Sequence, residues 1–152
     1  MDLNVETVKN FYQAFSEKNP GGMIKQYSSG IVFSDPVFGV LEGKEVGEMW
    51  TMLCERSRDF SLSFGNIQDK GDGYYTCDWT ASYTFSRTGN RVVNKVRAYM
   101  QVENGLIIGH SDAFRFYLWA RQAFGIKGWL FGWTTFFQRG VRKKARAMLA
   151  DQ

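Results

Sequence analysis

Four polar residues stand where the periodicity of the chain would place apolar ones. From Leu106 to Phe116, alternate residues share a face. Ile108, His110, Asp112, Phe114 and Phe116 fall on one side; Ile107, Gly109, Ser111, Ala113 and Arg115 fall on the other. The first side is apolar at three of its five positions, so it should point inward. That carries His110 and Asp112 inside, about 6–7 Å apart along a strand. Asn94 is likewise inward among Val92, Val96, Ala98 and Met100. Asp35 closes the run Ile31-Val32-Phe33-Ser34 and precedes Pro36, a dipeptide that also starts turns. Burying such groups costs several kcal/mol unless they are paired. Either they satisfy one another as a structural network, or they line a cavity and act on a ligand. The convergence of Asp35, Asn94, His110 and Asp112 favours the cavity. Histidine changes charge near neutral pH and a carboxylate orients its ring, so an Asp35–His110 or a His110–Asp112 pair could move protons. Walls rich in Phe, Tyr and Trp suit a small apolar ligand.

The elements that must hold these residues can be read from the changing period. Val8, Phe11, Tyr12 and Phe15 recur at helical spacing, which predicts a helix over 3–17 stopped by Asn19-Pro20-Gly21-Gly22. A short helix is expected at about 22–28, with Met23, Ile24 and Tyr27 on one side and Ser28-Ser29-Gly30 as its stop. A strand follows over 31–35, then a third helix at about 43–57 with the stripe Val46, Met49, Trp50 and Leu53. From residue 59 the period becomes two. Strands are expected from Phe60, over 75–85, over 92–102 and from Leu106 to about Phe116. Asn104-Gly105 marks a two-residue hairpin turn. Residues 117–150 read as helical in two pieces broken near Gly125–Gly128. Helices followed by a meander predict an α+β fold, with helices over one face of a curved antiparallel sheet and an added C-terminal helical tail. The expected organisation is one domain over 1–116 and an extension over 117–152, packed on that domain or on a partner subunit.

Composition bounds the function classes. The 152 residues are 44% hydrophobic and 16% aromatic, which excludes a disordered chain. One histidine, two cysteines and scattered acids make no zinc module, disulfide framework or metal-ligand set. No glycine-rich phosphate loop is present, so neither metal nor cofactor is expected. The first twenty residues contain no apolar secretory core, and Cys54 and Cys77 fall in regular elements, so a cytoplasmic location with reduced thiols is expected. Residues 115–152 carry eight Lys and Arg against one acid, a net of +7, leaving −3 on the remainder. The first expectation for this tail is an added helix that caps the mouth of the fold or packs on a partner subunit, with a solvated basic outer face. Its run Trp119, Phe124, Trp129, Leu130, Phe131, Trp133, Phe136 and Phe137 also admits an interfacial helix on anionic lipid. Nucleic acid is not expected, since no binding motif accompanies the charge.

The order of elements, with Phe11-Tyr12-Gln13-Ala14-Phe15, Tyr27, Val32-Phe33-Ser34-Asp35-Pro36, Gly43 and the Asn104-Gly105 hairpin, resembles the nuclear transport factor 2-like superfamily over residues 5–116. That group includes ketosteroid isomerase-like and SnoaL-like (polyketide cyclase) proteins. The resemblance implies a cone, with the sheet wrapped round a pocket, and a homodimer through the outer sheet face. In ketosteroid isomerases a carboxylate of the Asp-Pro turn shuttles a proton beside a ketone, and a tyrosine and a protonated acid hold the enolate oxygen. The resemblance puts Asp35 at the base, either Phe11 or Tyr12 at the tyrosine, and Ala98 at the second acid. His110 and Asp112 on the neighbouring strand stand in for that acid.

Three functions follow. One is an acid/base enzyme (isomerase, cyclase, dehydratase or hydrolase type) on an apolar substrate. It would use Asp35, His110 and Asp112, with Tyr12 and Asn94 donating to an oxyanion and Tyr27, Trp50, Trp79 and Phe114 shaping the pocket. The second is a non-catalytic module for hydrophobic ligands or dimerisation. The third is membrane association through the tail.

Overall fold

Asp2 starts the first helix, its carboxylate accepting the Asn4 N–H at 2.9 Å. The computed structural model describes residues 2–151. Helix α1 (Leu3–Ser16) turns Val8, Phe11, Tyr12 and Phe15 inward, as its spacing predicts. Helix α2 (Pro20–Ile24) is shorter and earlier than expected. Tyr27 is not helical: it opens strand β1 (Tyr27–Asp35), and Ser28-Ser29-Gly30 belongs to the strand rather than breaking a helix. Strand β2 (Gly39–Glu42), unforeseen because it is only four residues long, pairs back on β1. Helix α3 (Lys44–Arg56) follows, then strands β3 (Arg58–Gly71), β4 (Tyr74–Thr84), β5 (Arg91–Glu103) and β6 (Leu106–Ala113).

The six strands form one curved, open sheet in the order β2-β1-β6-β5-β4-β3. All neighbours are antiparallel except β1 and β6, which run parallel. Asn104 and Gly105 both take positive φ, 51° and 78°, as the two-residue turn between β5 and β6 requires. With α1 and α3 over its concave face, the sheet makes the α+β cone. Phe11, Tyr12, Phe33, Met49 and Met100 are fully buried between them. Each such side chain contributes about 1.5–3 kcal/mol by leaving water.

The tail forms three helices rather than two: α4 (Phe116–Phe124), α5 (Ile126–Phe131) and α6 (Thr135–Ala150). Phe116 begins α4 instead of ending β6. Trp119, Ala120 and Ala123 pack with Val92 and Val141 in a second apolar cluster, and Leu149 joins the main core. The expectation of a wholly solvated basic face fails at two residues. Arg142 donates to the Pro36 carbonyl at 3.2 Å, and Arg146 to those of Phe38 and Val40 at 2.8 and 3.0 Å. One guanidinium nitrogen of each, Nη2 of Arg142 and Nη1 of Arg146, satisfies carbonyls of the turn after Asp35 and ties α6 to the β1–β2 connection.

Candidate active site

Strand register decides which polar groups meet. Phe33 lies beside His110 and Ser34 beside Ser111 in the parallel β1–β6 pair. Asp35 and Asp112 follow one residue beyond this pairing, each on the face of Phe33 and His110 two positions before it. On the other side of β6, Met100 lies opposite His110 and Ala98 opposite Asp112. A register shift between Gln101 and Val102 changes the inward alternation at the start of β6. Ile107 is therefore the buried residue there, not Ile108. Beyond the shift, His110 and Asp112 are both 4% exposed.

These two belong to a continuous buried hydrogen-bond chain. Trp50 Nε1–H donates to the Tyr27 hydroxyl at 2.9 Å, and that hydroxyl lies 2.7 Å from His110 Nδ1. His110 Nε2 lies 2.8 Å from Asp112 Oδ1, which also accepts Trp79 Nε1–H at 3.4 Å. An indole N–H can only donate. The assignment that gives every hydrogen an acceptor therefore sends the Tyr27 proton to Nδ1 and puts the imidazole hydrogen on Nε2, donated to Asp112. His110 is then a neutral ring clamped between a phenol and a carboxylate. Phe11, Phe33 and Trp50 surround it, with ring centroids 5.5, 5.0 and 6.2 Å away.

Asp35 does not touch His110. Its Oδ1 accepts the backbone N–H groups of Val37 at 2.9 Å and Phe38 at 2.6 Å, the turn expected of Asp-Pro. Burial nevertheless pushes its pKa up to about 7. The Asp112 charge adds to the rise, while the two N–H groups oppose it. A carboxyl group poised near neutrality can both take and give a proton.

Asp35, Asp112 and Asn94 all line one cavity of ≈ 200 Å³. Trp50, Trp79 and Phe114 form part of its wall. Asn94 makes no hydrogen bond among the described residues other than those of its strand. His110 and Tyr27 do not reach the cavity; they stand behind Asp112 and Trp50. Tyr12 is not on it either: its ring lies against Phe64 and Trp79, and its buried hydroxyl has no hydrogen-bond partner. Burial, then the Asp112 charge, raises its pKa well above the ordinary phenol value, so it stays protonated.

The far wall comes from the tail, expected from sequence as a cap but without any of its residues named as lining the site. Trp119 and Phe124 of α4, and Val141, Ala145 and Met148 of α6, close the cavity. The i, i+4, i+7 spacing of the last three was the available signal. Arg56 and Arg87 stand exposed at the rim, Arg87 with its guanidinium 5.4 Å from the Phe124 ring. The site is an aromatic-walled chamber lined by two carboxylates and one amide.

Comparison with known proteins agrees with this fold. The SnoaL-like domain family matches residues 8–110. No curated protein matches the chain. Among solved structures, a protein of ketosteroid isomerase-like fold from Catenulispora acidiphila, solved with trimethylamine, superposes with a TM-score of 0.68 at 11% identity, covering 78% of this chain and 92% of that one. A nuclear transport factor 2-like protein from Burkholderia thailandensis gives 0.69 at 19% identity, over 82% and 98%. IdmH from Streptomyces antibioticus, described as a candidate polyketide cyclase, gives 0.66 at 15% identity, over 78% and 96%. At these identities the likeness shows the fold.

Proposed function

The chain belongs to the SnoaL-like domain family, and from that premise we propose that it is a small-molecule acid/base enzyme acting on an apolar substrate held over Asp35 and Asp112. The observation that carries this reading is the occurrence of the two carboxylates in the lining of one cavity, with Asp35 pushed up to about 7. Asp35 is the proton carrier. As carboxylate it takes a proton from carbon beside a carbonyl, and as acid it returns the proton elsewhere on the substrate. Asn94 donates to the oxygen that gains charge between these steps. Asp112, held by His110 and Trp79, keeps Asp35 basic enough to act. His110, Tyr27 and Trp50 are positioning residues that set the direction of the Asp112 carboxylate. Tyr12 has a structural role in this reading, as its place off the cavity supports. Isomerisation, cyclisation, dehydration and hydrolysis are the reaction types open to such a shuttle. A homodimer through the outer sheet face, where Val32 and Tyr99 are 43% and 48% exposed, and a cytoplasmic location belong to the same reading.

Proton exchange tests it without knowledge of the natural substrate. A panel of cyclic ketones is incubated in deuterium oxide, and incorporation at the α-carbon is followed by NMR. Exchange by the native protein that is lost in Asp35→Asn supports the reading; equal exchange in both sinks it. A second reading, a ligand-binding module without turnover, is favoured by Ala98, which leaves no acid on the β5 side of Asp112. It expects saturable binding of the same ketones with no exchange.

A further inference from the structure

Helix α5 is attached to the protein by its glycines and turns its large side chains away. A Cβ on Gly128 would lie 1.9 Å from the Ala120 carbonyl oxygen, and one on Gly132 would lie 3.0 Å from the Ala120 Cβ. The buried face of this segment is therefore backbone against α4, with no room for a side chain. On the other face Ile126 is 78% exposed, Trp129 55%, Leu130 47%, Phe131 54%, Trp133 73% and Phe136 89%. One exposed apolar side chain is ordinary; six within eleven residues are not. They cannot be a core that failed to close, because the packing face is built for the opposite orientation. Two polar groups along the ridge are also satisfied from within. Trp133 Nε1–H donates to the Leu130 carbonyl at 2.9 Å and Thr134 to that of Phe131 at 2.6 Å. Such a surface can leave water without stranding these hydrogen-bonding groups.

Charge selects the occupant. No acidic residue occurs between Asp112 and Asp151. Arg142 and Arg146 are committed to the turn carbonyls, but Lys127, Arg139, Lys143 and Lys144 remain exposed around or beyond the ridge. A second copy seated here would bring two +7 segments together. An anionic lipid surface meets both the aromatics and the cations. No helix among the described residues is long and apolar enough to cross a membrane. We propose that the ridge of residues 126–136 anchors the protein in the headgroup layer of an anionic membrane, lying in the surface and not spanning it. Phe124, two residues before the ridge, lines the cavity, so docking sets the α4 wall of the cavity next to lipid.

The test is co-sedimentation of the full chain with vesicles of phosphatidylcholine alone or mixed equally with phosphatidylglycerol. Binding is expected on the mixed vesicles, weakened by high salt. The double variant Trp133→Ser, Phe136→Ser is expected to partition about tenfold less or weaker still. Both sites are exposed, so its thermal midpoint should match the native one. Bromolipid quenching of tryptophan emission should fall in the same variant. Absence of binding to the mixed vesicles overturns the proposal, as does equal binding by the variant. A dimer that the double variant dissociates would mean that a second copy covers the ridge, which also overturns it.

Discussion

His110 stands one layer behind Asp112: the two bond at 2.8 Å, yet only Asp112 reaches the cavity. They lie two apart on one strand face, and the curve of the sheet turns the histidine into the aromatic core. The histidine is thus placed to orient a carboxylate, not to meet a ligand. Its other nitrogen is held by Tyr27, which Trp50 holds in turn, so the direction of Asp112 is set by an array reaching from β6 through β1 to α3.

The array makes Tyr27→Phe an informative change. The ring volume is kept, but Trp50 N–H and His110 Nδ1 both lose their partner in the dry core. Leaving buried polar groups unpaired costs about 1–3 kcal/mol each. Urea denaturation should show a destabilisation of that order. An unchanged midpoint would mean that the three groups do not depend on one another.

Asp35→Asn separates chemistry from fold. The amide oxygen can still accept the Val37 and Phe38 N–H groups, so the turn should survive. It cannot take a proton, and loss of a general base lowers turnover by about 10²–10⁴. With Asp35 as base, the native rate should rise with pH through about 7 and level off above it. A flat profile across that range would remove Asp35 from the proton-transfer step.

Stability carries the opposite sign. The carboxyl pKa rises from 3.8 to about 7 on folding, so between these values the folded state holds the proton more tightly than the unfolded one. Asp35 therefore favours folding most below about pH 4. That contribution is lost as pH rises to about 7, and no further change is expected above it. The total is a few kcal/mol at most, on the order of one per pKa unit. The stability difference between the native protein and Asp35→Asn, followed by thermal melts across this window, should shrink and then favour the variant. A difference independent of pH would show that Asp35 titrates normally.

The inward stripe holding His110 and Asp112 was legible because a strand alternates with period two. The bulge that replaces Ile108 by Ile107 was not, since nothing local marks a lost register. Tyr27 read as helical because Ser28-Ser29-Gly30 looks like a helix stop, yet those residues extend a strand held by β6. The four polar residues could be assigned to the interior from pattern alone. Which of them face the cavity depends on sheet curvature and on the tail, whose contacts span more than a hundred residues.

Arg146 is one of those distant contacts. Its guanidinium holds the Phe38 and Val40 carbonyls, just past the Asp35 turn. Arg146→Ala should raise amide hydrogen exchange in Gly39–Glu42 while leaving β3–β5 protected. Both bonds come from the single nitrogen Nη1, so Arg146→Lys should rescue this in part: an ammonium also carries several donors, on a shorter side chain. Unchanged exchange in both variants would mean that the α6 latch does not hold the turn.

Two glycines of the tail give opposite expectations for the same substitution. At Gly128 an added Cβ meets the Ala120 carbonyl at 1.9 Å, so Gly128→Ala must push α5 off α4. Overpacking of this kind costs about 1–3 kcal/mol, and the displaced backbone should become open to proteolysis near residues 126–134. At Gly140, inside α6, nothing lies within 4 Å of the added Cβ. Gly140→Ala removes backbone freedom from the unfolded chain at no steric cost, so it should stabilise by about 0.5–1 kcal/mol. Protease resistance and thermal midpoints of the two variants should move in opposite directions. If both rise, α5 is not seated on α4 through Gly128. The outward orientation of its aromatic ridge would then lose its packing argument as well.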